Sequence, residues 1–338
     1  MKHSQLPASI YLPNRVLVTG AAGFIGSHTV DCLLRQGIEV VAVDSFRSGK
    51  ASNIRHCVQD DSFVFEFADV SRPEEMEGLC FKYRPQTIIH LAGLVSVVEA
   101  QAEPDLNQKL NIQTTHVVAE AARKTGVQRI VFASSAAVYG DCSRLPVREE
   151  DARSPISLYG MAKRVSEQIL EGHHKSFGLE CLSLRFFNVF GPRQDPASPY
   201  SGVMSIFADR FANGEPVRIF GDGSQTRDFI SVFDVARALT LAATAQKVGS
   251  ATCNICTGRQ TSLLEIISEF RDLFPHSPMP EFYPAREGEI LHSLGSPDAA
   301  SELLGFQANV SLAEGIRALV EENRKSVTSP ATLLPQVA

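Results

Sequence analysis

A glycine-rich turn between a short β-branched run and a helical pattern constrains the fold of this chain more than any other feature. The run 16–18 is followed by T-G-A-A-G-F-I-G, where Gly20, Gly23 and Gly26 are spaced three apart, and then by a helical pattern over 24–36. Glycines at this spacing allow a tight turn, close packing of strand and helix, and approach of backbone N–H groups to a phosphate. The segment therefore predicts the first unit of a nucleotide-binding βαβ sheet.

Short apolar runs and longer helical patterns continue to alternate through the first half of the chain. Runs with strand character occupy residues 40–43, 87–89 and 129–132, and a second long helical pattern covers 107–124. Because these runs are continuously apolar, helices are expected on both faces of their sheet. We therefore predict an α/β fold with a doubly wound parallel sheet, whose ligand lies at the carboxyl ends of the strands.

A cluster of glycine and proline residues after Asn188 marks a change in the texture of the sequence. Gly191, Pro192 and Gly202 lie close together there with further prolines, and such residues interrupt regular elements. We predict a nucleotide-binding domain over residues 13–188, a smaller C-terminal α/β substrate lobe over 189–324 with segments that return to the first domain, and a mobile tail over 325–338.

Composition and charge exclude several classes of function. The 338 residues carry a formal net charge of -6 and no block of like charge, so no nucleic-acid partner is expected. The most apolar stretch, residues 87–98, contains His90 and is too short to span a bilayer, and the first residues lack a signal peptide. We therefore expect a cytoplasmic protein without a membrane partner.

Cysteine usage indicates reduced thiols in the core. The chain has 7 cysteines, an odd number, and only Cys253 and Cys256 form a C-x-x-C pair. A zinc site would need a second ligand pair nearby, and none is present in the sequence. We expect neither a metal site nor a disulfide framework.

The second predicted strand ends in Asp44, eighteen residues after Gly26. A carboxylate at this point can hydrogen-bond both hydroxyls of an adenine ribose and would repel a 2′-phosphate. The sequence therefore predicts NAD as the cofactor. Arg47, three residues further on, leaves NADP open as the alternative.

Tyr159 and Lys163 carry the predicted chemistry. They lie four residues apart in Y-G-M-A-K and share one face of a helix. A nearby ammonium lowers the pKa of a phenol from its usual value of about 10, so Tyr159 can accept a proton from a hydroxyl. A strand ending in Ser134 and Ser135 precedes Tyr159 by twenty-four residues and supplies a third group, with Ser134 the weaker candidate.

The G-x-x-G-x-x-G spacing and the Ser-Tyr-Lys set resemble those of the extended short-chain dehydrogenases/reductases, over residues 15–306. The resemblance implies a Rossmann-type sheet, catalytic roles for Ser135, Tyr159 and Lys163, and contact of Asp69 with the adenine ring. It implies that Asn111 braces the central strands. The implied NAD-binding residues are Gly20, Gly23, Phe24, Ile25, Gly26, Asp44, Asp69, Val70, Leu91, Ala92, Gly93, Asn111, Tyr159 and Lys163.

Within that branch the chain is similar to the NAD-dependent epimerase/dehydratase family, and most similar to its UDP-hexose 4-epimerases. The matching stretches include L-R-F-F-N-V-F-G-P-R, I-F-G-D-G-S-Q-T-R-D-F-I and R-E-G-E-I, in that order. The resemblance implies diphosphate ligands, a uracil neighbour, a ribose ligand and a gate beside the sugar. The implied substrate-binding residues are Ser135, Asn188, Val203, Phe220, Arg227, Arg286, Glu289 and Ser293.

The resemblance implies a 4-epimerase that acts through a transient 4-keto sugar. The small Ser293 implies room for an acetamido group, and hence UDP-N-acetylglucosamine and UDP-N-acetylgalactosamine as substrates, with UDP-glucose and UDP-galactose as a further pair. Glu289 stands where Asp is commoner, which makes its ribose contact the least secure of the set. A homodimer through the helices near 107–124 and 157–173 is also implied.

Other functions remain as alternatives. A nucleotide-sugar 4,6-dehydratase would need an acid and a base just after the catalytic hydroxyl, where this chain has Ala136 and Ala137. A UDP-glucuronate 4-epimerase would share the reaction and differ in the sugar. A catalytically silent NAD-binding regulator is the alternative from another class, because a fold alone does not imply turnover.

Overall fold

A computed structural model describes residues 13–195, 202–246, 248–285 and 290–328. In the described ranges no helix combines the length and the apolar character needed to cross a lipid bilayer. The strands are β1 Arg15–Thr19, β2 Glu39–Asp44, β3 Phe63–Phe67, β4 Thr87–His90, β5 Arg129–Ser135, β6 Glu180–Phe186, β7 Asn188–Phe190, β8 Arg218–Phe220, β9 Thr226–Arg227, β10 Phe229–Ser231, β11 Ser250–Ile255, β12 Thr261–Ser262 and β13 Glu281–Tyr283.

The helices follow the predicted alternation with the strands. They are α1 Phe24–Arg35, α2 Pro73–Tyr83, α3 Val97–Ala102, α4 Pro104–Asn107, α5 Thr114–Thr125, α6 Leu158–Phe177, α7 Val203–Ala212, α8 Val232–Thr244, α9 Leu263–Leu273, α10 Asp298–Leu304 and α11 Leu312–Thr328. The predicted helix over 107–124 is interrupted, because a π-helical turn over Gln108–Gln113 separates α4 from α5. Helix α11 continues to Thr328, so the first four residues of the predicted tail are helical.

A seven-stranded sheet forms the centre of the molecule, in the order β11-β6-β5-β4-β1-β2-β3, and all of its pairings are parallel. Helices α2, α5 and α6 pack on one face of this sheet, and helices α1 and α8 pack on the other. Each face has its own cluster of buried apolar side chains. The continuous apolar strands are explained by this burial on both faces. The prediction of a doubly wound Rossmann-type sheet is confirmed.

Three two-stranded sheets lie outside the large sheet: β7 with β10, β8 with β13, and β9 with β12. Helices α7, α9 and α11 share a separate apolar cluster that includes Phe190, Phe207 and Phe270. Strand β11 and helix α8 come from this second half of the chain and yet belong to the large sheet and its cover. The cysteines of the predicted C-x-x-C are buried, free thiols in and after β11.

Candidate active site

The glycine turn lies between β1 and α1, next to the point where the strand order reverses. Gly20 has a φ of +69°, and a Cβ added to it would lie 2.8 Å from the backbone N of Ala92. A Cβ on Gly26 would lie 2.0 Å from the carbonyl O of Gly20. Helix α1 begins after Gly23 with no side chain capping its N-terminus. This cradle suits an anionic pyrophosphate, because its N–H groups and helix dipole favour negative charge.

Asp44 stands at the carboxyl end of β2 and is buried. Its Oδ2 accepts from the backbone N–H of Ala22 at 2.9 Å, and its Oδ1 accepts from the N–H of Phe46 at 2.7 Å. Burial raises the pKa of Asp44, while these N–H groups act in the opposite direction. The carboxylate therefore ties the end of β2 to the glycine turn, on the side where a dinucleotide would place its ribose.

An aromatic surface that sequence reasoning missed lies beside the end of β3. Phe46 adopts a left-handed φ of 54° and its ring stacks on Phe65, with the ring centroids 5.2 Å apart. Phe67 contacts the same ring and is 70% exposed. Asp69, partly exposed, and Val70, buried, follow after Ala68. The alternating phenylalanines of β3 are the signal that would have revealed this surface.

The loop after β4 carries Leu91, Ala92 and Gly93. Asn111, predicted to brace the central strands, lies within the π-helical turn. Its Nδ2 donates to the carbonyl of Leu94 at 3.0 Å and to Oδ1 of Asn107 at 2.7 Å. The Oδ1 of Asn111 is buried without a hydrogen-bond partner, and a Cβ on Gly93 would lie 2.6 Å from it. π-Turns in helices frequently mark functional sites.

The predicted catalytic residues come together from β5 and α6. The Lys163 Nζ is buried, donates to the carbonyl of Ala133 at 2.9 Å, and lies 5.7 Å from the centroid of the Tyr159 ring. Burial raises the pKa of Tyr159 to about 12, and a hydrogen bond with the Ser135 side chain opposes that rise. Burial also lowers the pKa of Lys163 to about 8, while the carboxylate of Glu167 raises it.

Ser134 is not placed like Ser135. Its Oγ donates to Oε1 of Glu167 at 2.6 Å, whereas Ser135 is hydrogen-bonded with Tyr159. The two adjacent hydroxyls therefore meet residues of helix α6 that are eight positions apart. Ser135 is therefore the hydroxyl that accompanies the Tyr-Lys pair, and the weaker candidate Ser134 belongs to a different contact.

A cavity of about 650 Å³ contains four of the predicted substrate-binding residues, Asn188, Val203, Phe220 and Arg227. Sequence reasoning missed Gln194, Arg210, Arg218 and Gln225, which also line it. Phe220 packs against Tyr283 with ring centroids 5.7 Å apart, and the Gln225 amide donates to the Phe220 carbonyl. Three arginines and the ring of Phe220 in one cavity suit a nucleoside diphosphate.

Three further predicted substrate-binding residues are Arg286, Glu289 and Ser293. Arg286 and Glu289 lie outside the described residues, so their predicted roles receive no structural description. Ser293 is partly exposed and does not line the cavity, but its N–H donates to the carbonyl of Thr226 at 3.1 Å. Arg227, the next residue, does line the cavity and donates to the carbonyl of Leu291 at 3.1 Å.

One group of metal-type side chains occurs among the described residues: Asp31, His56 and Cys57, with ligand atoms within 4.8 Å of one another. The carboxylate of Asp31 accepts from Arg193 at 2.8 Å and lies 2.7 Å from the His56 ring. Ordinary ion pairing and hydrogen bonding account for these contacts.

Comparison with known proteins relates the chain to a family of known description. The profile of the NAD dependent epimerase/dehydratase family matches residues 16–256. The UDP-glucose 4-epimerase of Mycolicibacterium smegmatis is 38% identical over 308 residues, which cover 91% of this chain and 97% of that protein. UDP-glucuronic acid decarboxylase 2 of Arabidopsis thaliana is 31% identical over 93% of this chain and 69% of its own length.

A solved structure supports the same relationship in three dimensions. The UDP-N-acetylglucosamine 4-epimerase of Methanobrevibacter ruminantium M1, in complex with UDP-N-acetylmuramic acid, has a TM-score of 0.87 and 31% sequence identity. The match covers 93% of this chain and 99% of that one. The similarity therefore extends over both halves of the molecule.

Proposed function

Because this chain belongs to the NAD-dependent epimerase/dehydratase family, we propose that it is a UDP-hexose 4-epimerase that interconverts UDP-N-acetylglucosamine and UDP-N-acetylgalactosamine. UDP-glucose and UDP-galactose are a further substrate pair in this proposal. The observation that carries it is the meeting of Ser135, Tyr159 and Lys163 at the carboxyl end of β5, in a chain whose second half provides a cavity with Phe220 and Arg227. The family's cofactor is NAD.

The glycine turn and the residues around it would hold the cofactor. NAD supplies the hydride acceptor and donor of the reaction when it is bound. The turn of Gly20, Gly23 and Gly26 would hold its pyrophosphate, Asp44 its adenine ribose, and Lys163 its nicotinamide ribose. Asp69 and the neighbouring aromatic surface would face its adenine ring.

Proton transfer falls to the chain's own residues. Ser135 orients the sugar's 4-hydroxyl, and Tyr159 takes the proton from that oxygen. Burial alone makes Tyr159 a weaker acid, so the charge on Lys163 is needed to favour the phenolate. When the configuration at C4 has been inverted, the Tyr159 hydroxyl returns the proton to the same oxygen.

An epimerase must hold the nucleotide firmly and the sugar loosely, because the sugar has to present both faces. Asn188 and Arg227 are the proposed diphosphate ligands within the cavity, and Phe220 with Tyr283 the neighbours of uracil. Guanidinium groups suit paired phosphate oxygens. Arg286 and Glu289 complete the proposed set from outside the described residues, and Val203 begins helix α7 at the cavity wall.

The proposed preference for acetylated sugars rests on Ser293. Its backbone is joined to the segment of Arg227, and its side chain is small. A phenol ring at this position would compete for volume with an acetamido group, and overpacking costs about 1–3 kcal/mol. We expect Ser293→Tyr to lower kcat/KM for UDP-N-acetylgalactosamine at least about tenfold more than for UDP-galactose. An equal loss on both substrates would show that Ser293 does not set the space available to the sugar.

The decisive experiment is incubation with UDP-glucose, UDP-galactose, their N-acetylated counterparts and UDP-glucuronate, followed by product analysis. An epimer formed without net NADH supports the proposal. A dehydrated keto sugar would identify a 4,6-dehydratase, although Ala136 and Ala137 offer no proton there. Epimerisation of UDP-glucuronate alone would identify a UDP-glucuronate 4-epimerase. No reaction with any sugar, despite bound NAD, would favour the silent regulator.

We also propose that the enzyme works as a cytoplasmic homodimer. The proposed interface comprises the helices near 107–124 and 157–173, and α6 exposes the apolar Met161, which is 52% exposed, on its surface. Exposed apolar side chains on paired helices are typical of subunit contacts. Light scattering of the purified protein would give the mass of one chain if this part of the proposal is wrong.

A further inference from the structure

A row of polar side chains crosses three neighbouring strands behind the Tyr-Lys pair. Ser134 of β5 is the register partner of Arg185 of β6, which is in turn the partner of Asn254 of β11. All three residues are buried. A buried polar row in the middle of a sheet is costly unless its groups bond one another, so each partner in it is informative.

Glu167 of helix α6 is the centre of these contacts. Arg185 donates to it through two nitrogens, from Nε to Oε1 at 2.9 Å and from Nη2 to Oε2 at 2.8 Å. Ser134 Oγ donates to the same Oε1 at 2.6 Å. The side chains of both members of the ion pair are at most 8% exposed. Two guanidinium bonds and a hydroxyl fix the carboxylate in position.

Three successive residues at the end of β5 engage three successive turns of α6. The Ser135 side chain is hydrogen-bonded with Tyr159, the Ala133 carbonyl accepts from Lys163, and the Ser134 hydroxyl donates to Glu167. The helix partners are spaced four residues apart and so share one helix face. Glu167 therefore occupies the next position after the two proposed catalytic residues on the face that meets the strand.

The far side of the ion pair is anchored as well. Arg185 Nη1 donates to the Tyr139 hydroxyl at 2.8 Å, and that hydroxyl donates to Oδ1 of Asn254 at 2.7 Å. The N–H of Asn254 donates to a carboxylate oxygen of Glu149 at 2.5 Å. These bonds restrain the guanidinium that holds Glu167, and truncating one partner of such a network costs more than one exposed hydrogen bond.

The charges around Lys163 come from a small set of groups. Burial lowers the pKa of His90 on β4 to about 3, so this ring is neutral at pH 7 and does not stabilise the ammonium. Tyr159 on the same helix is neutral until it reacts, and β5 offers Lys163 a carbonyl. Burial disfavours the Lys163 ammonium, and the carboxylate of Glu167 favours it.

We propose that Glu167, held by Arg185 and Ser134 one helical turn beyond Lys163, is a positioning residue whose negative charge supports the Lys163 ammonium beside Tyr159. The inference rests on the proposed function, because it assigns Lys163 the task of favouring the Tyr159 phenolate. In this arrangement the first serine of the S-S pair, Ser134, holds the carboxylate that acts on the ammonium, and the second serine, Ser135, serves the substrate.

The test is Glu167→Gln, which removes the charge and keeps a similar shape. With protein containing lysine labelled at ¹³Cε, and Lys163→Arg to assign the signal, the titration midpoint of Lys163 should fall by about one pH unit or more. The sign follows from the charge: without the carboxylate, the ammonium loses its proton at lower pH. The alkaline limb of the kcat profile should move in the same direction, and Glu167→Asp should restore both.

Glu171→Gln is the matched control, because Glu171 lies one turn further along α6, is exposed and forms an ion pair with Lys175. It should change neither the midpoint nor the profile. If Glu167→Gln does not fold, a Glu167→Gln/Arg185→Met double variant leaves no unpaired buried charge. Its Lys163 midpoint should fall in the same direction by a smaller amount, because the positive charge of Arg185 is removed as well.

A folded variant with the wild-type Lys163 midpoint and an unchanged profile would overturn the role of Glu167. Failure of the proposed function would give a different result. The wild-type protein would then turn over none of the UDP-sugars, while the ¹³C titration would still report the effect of Glu167 on Lys163.

Discussion

Replacement of Gly26 by alanine is the most direct test of the glycine cradle. Gly26 lies in the first turn of α1, where its backbone faces the carbonyl of Gly20. An alanine Cβ would lie 2.0 Å from that oxygen and 2.9 Å from the Cα of Ala21. Both are backbone atoms, so no side-chain rotation relieves the overlap. Helix α1 would have to move away from β1 by about 1 Å or more, since ordinary contact begins near 3.4 Å.

The cost of this displacement follows from what the contact does. Overpacking of a rigid site costs about 1–3 kcal/mol, and here it separates the helix N-terminus from the turn that would receive the pyrophosphate. We expect the free energy of unfolding to fall by about that amount. If the strain is concentrated in the bound state, NAD affinity falls about five- to a hundredfold, since 1.4 kcal/mol is a factor of ten.

Denaturant unfolding and calorimetric titration of NAD would measure the two effects separately. Gly172→Ala is the control, because Gly172 lies inside α6 and nothing lies within 4 Å of an added Cβ. That substitution should stabilise the protein by about 0.5–1 kcal/mol through helix propensity. If Gly26→Ala behaved like the control and kept wild-type affinity for NAD, the close approach of helix and strand would not be what the glycine provides.

Further variants test the chemistry, the cofactor and the sheet. Tyr159→Phe should fold and bind NAD but lose at least about a hundredfold in kcat, the scale of acid–base catalysis, so near-normal turnover would exclude Tyr159 as the base. Asp44→Ala should weaken NAD and reduce discrimination against NADP in binding titrations; an unchanged preference would contradict its ribose contact. Arg129→Met should lower the free energy of unfolding by about 3–5 kcal/mol in denaturant titrations, because buried Arg129 pairs with Glu180 and donates to carbonyls at the end of α8. Arg123→Met is the control. Because Arg123 belongs to a surface ion pair, its loss should cost about 1 kcal/mol or less.

The amino-acid sequence by itself determined the fold class and the chemistry of the proposed site. Continuous apolar runs predict a parallel sheet covered on both faces, since strands of that composition have no polar side to expose. The spacing of Gly20, Gly23 and Gly26 predicts the phosphate turn, because only glycine permits that approach. Tyr159 and Lys163 are four residues apart, and helical geometry alone puts them on one face.

Only the tertiary structure decided what Ser134 contacts, and which groups act on Lys163. Ser134 and Ser135 are adjacent in the sequence, but they meet residues of α6 that are eight positions apart. Arg185 lies eighteen residues from Glu167 and meets it through the pairing of β5 with β6. Such contacts depend on strand register and on burial, which lowers the local dielectric and strengthens each charge, and neither is written in local sequence spacing.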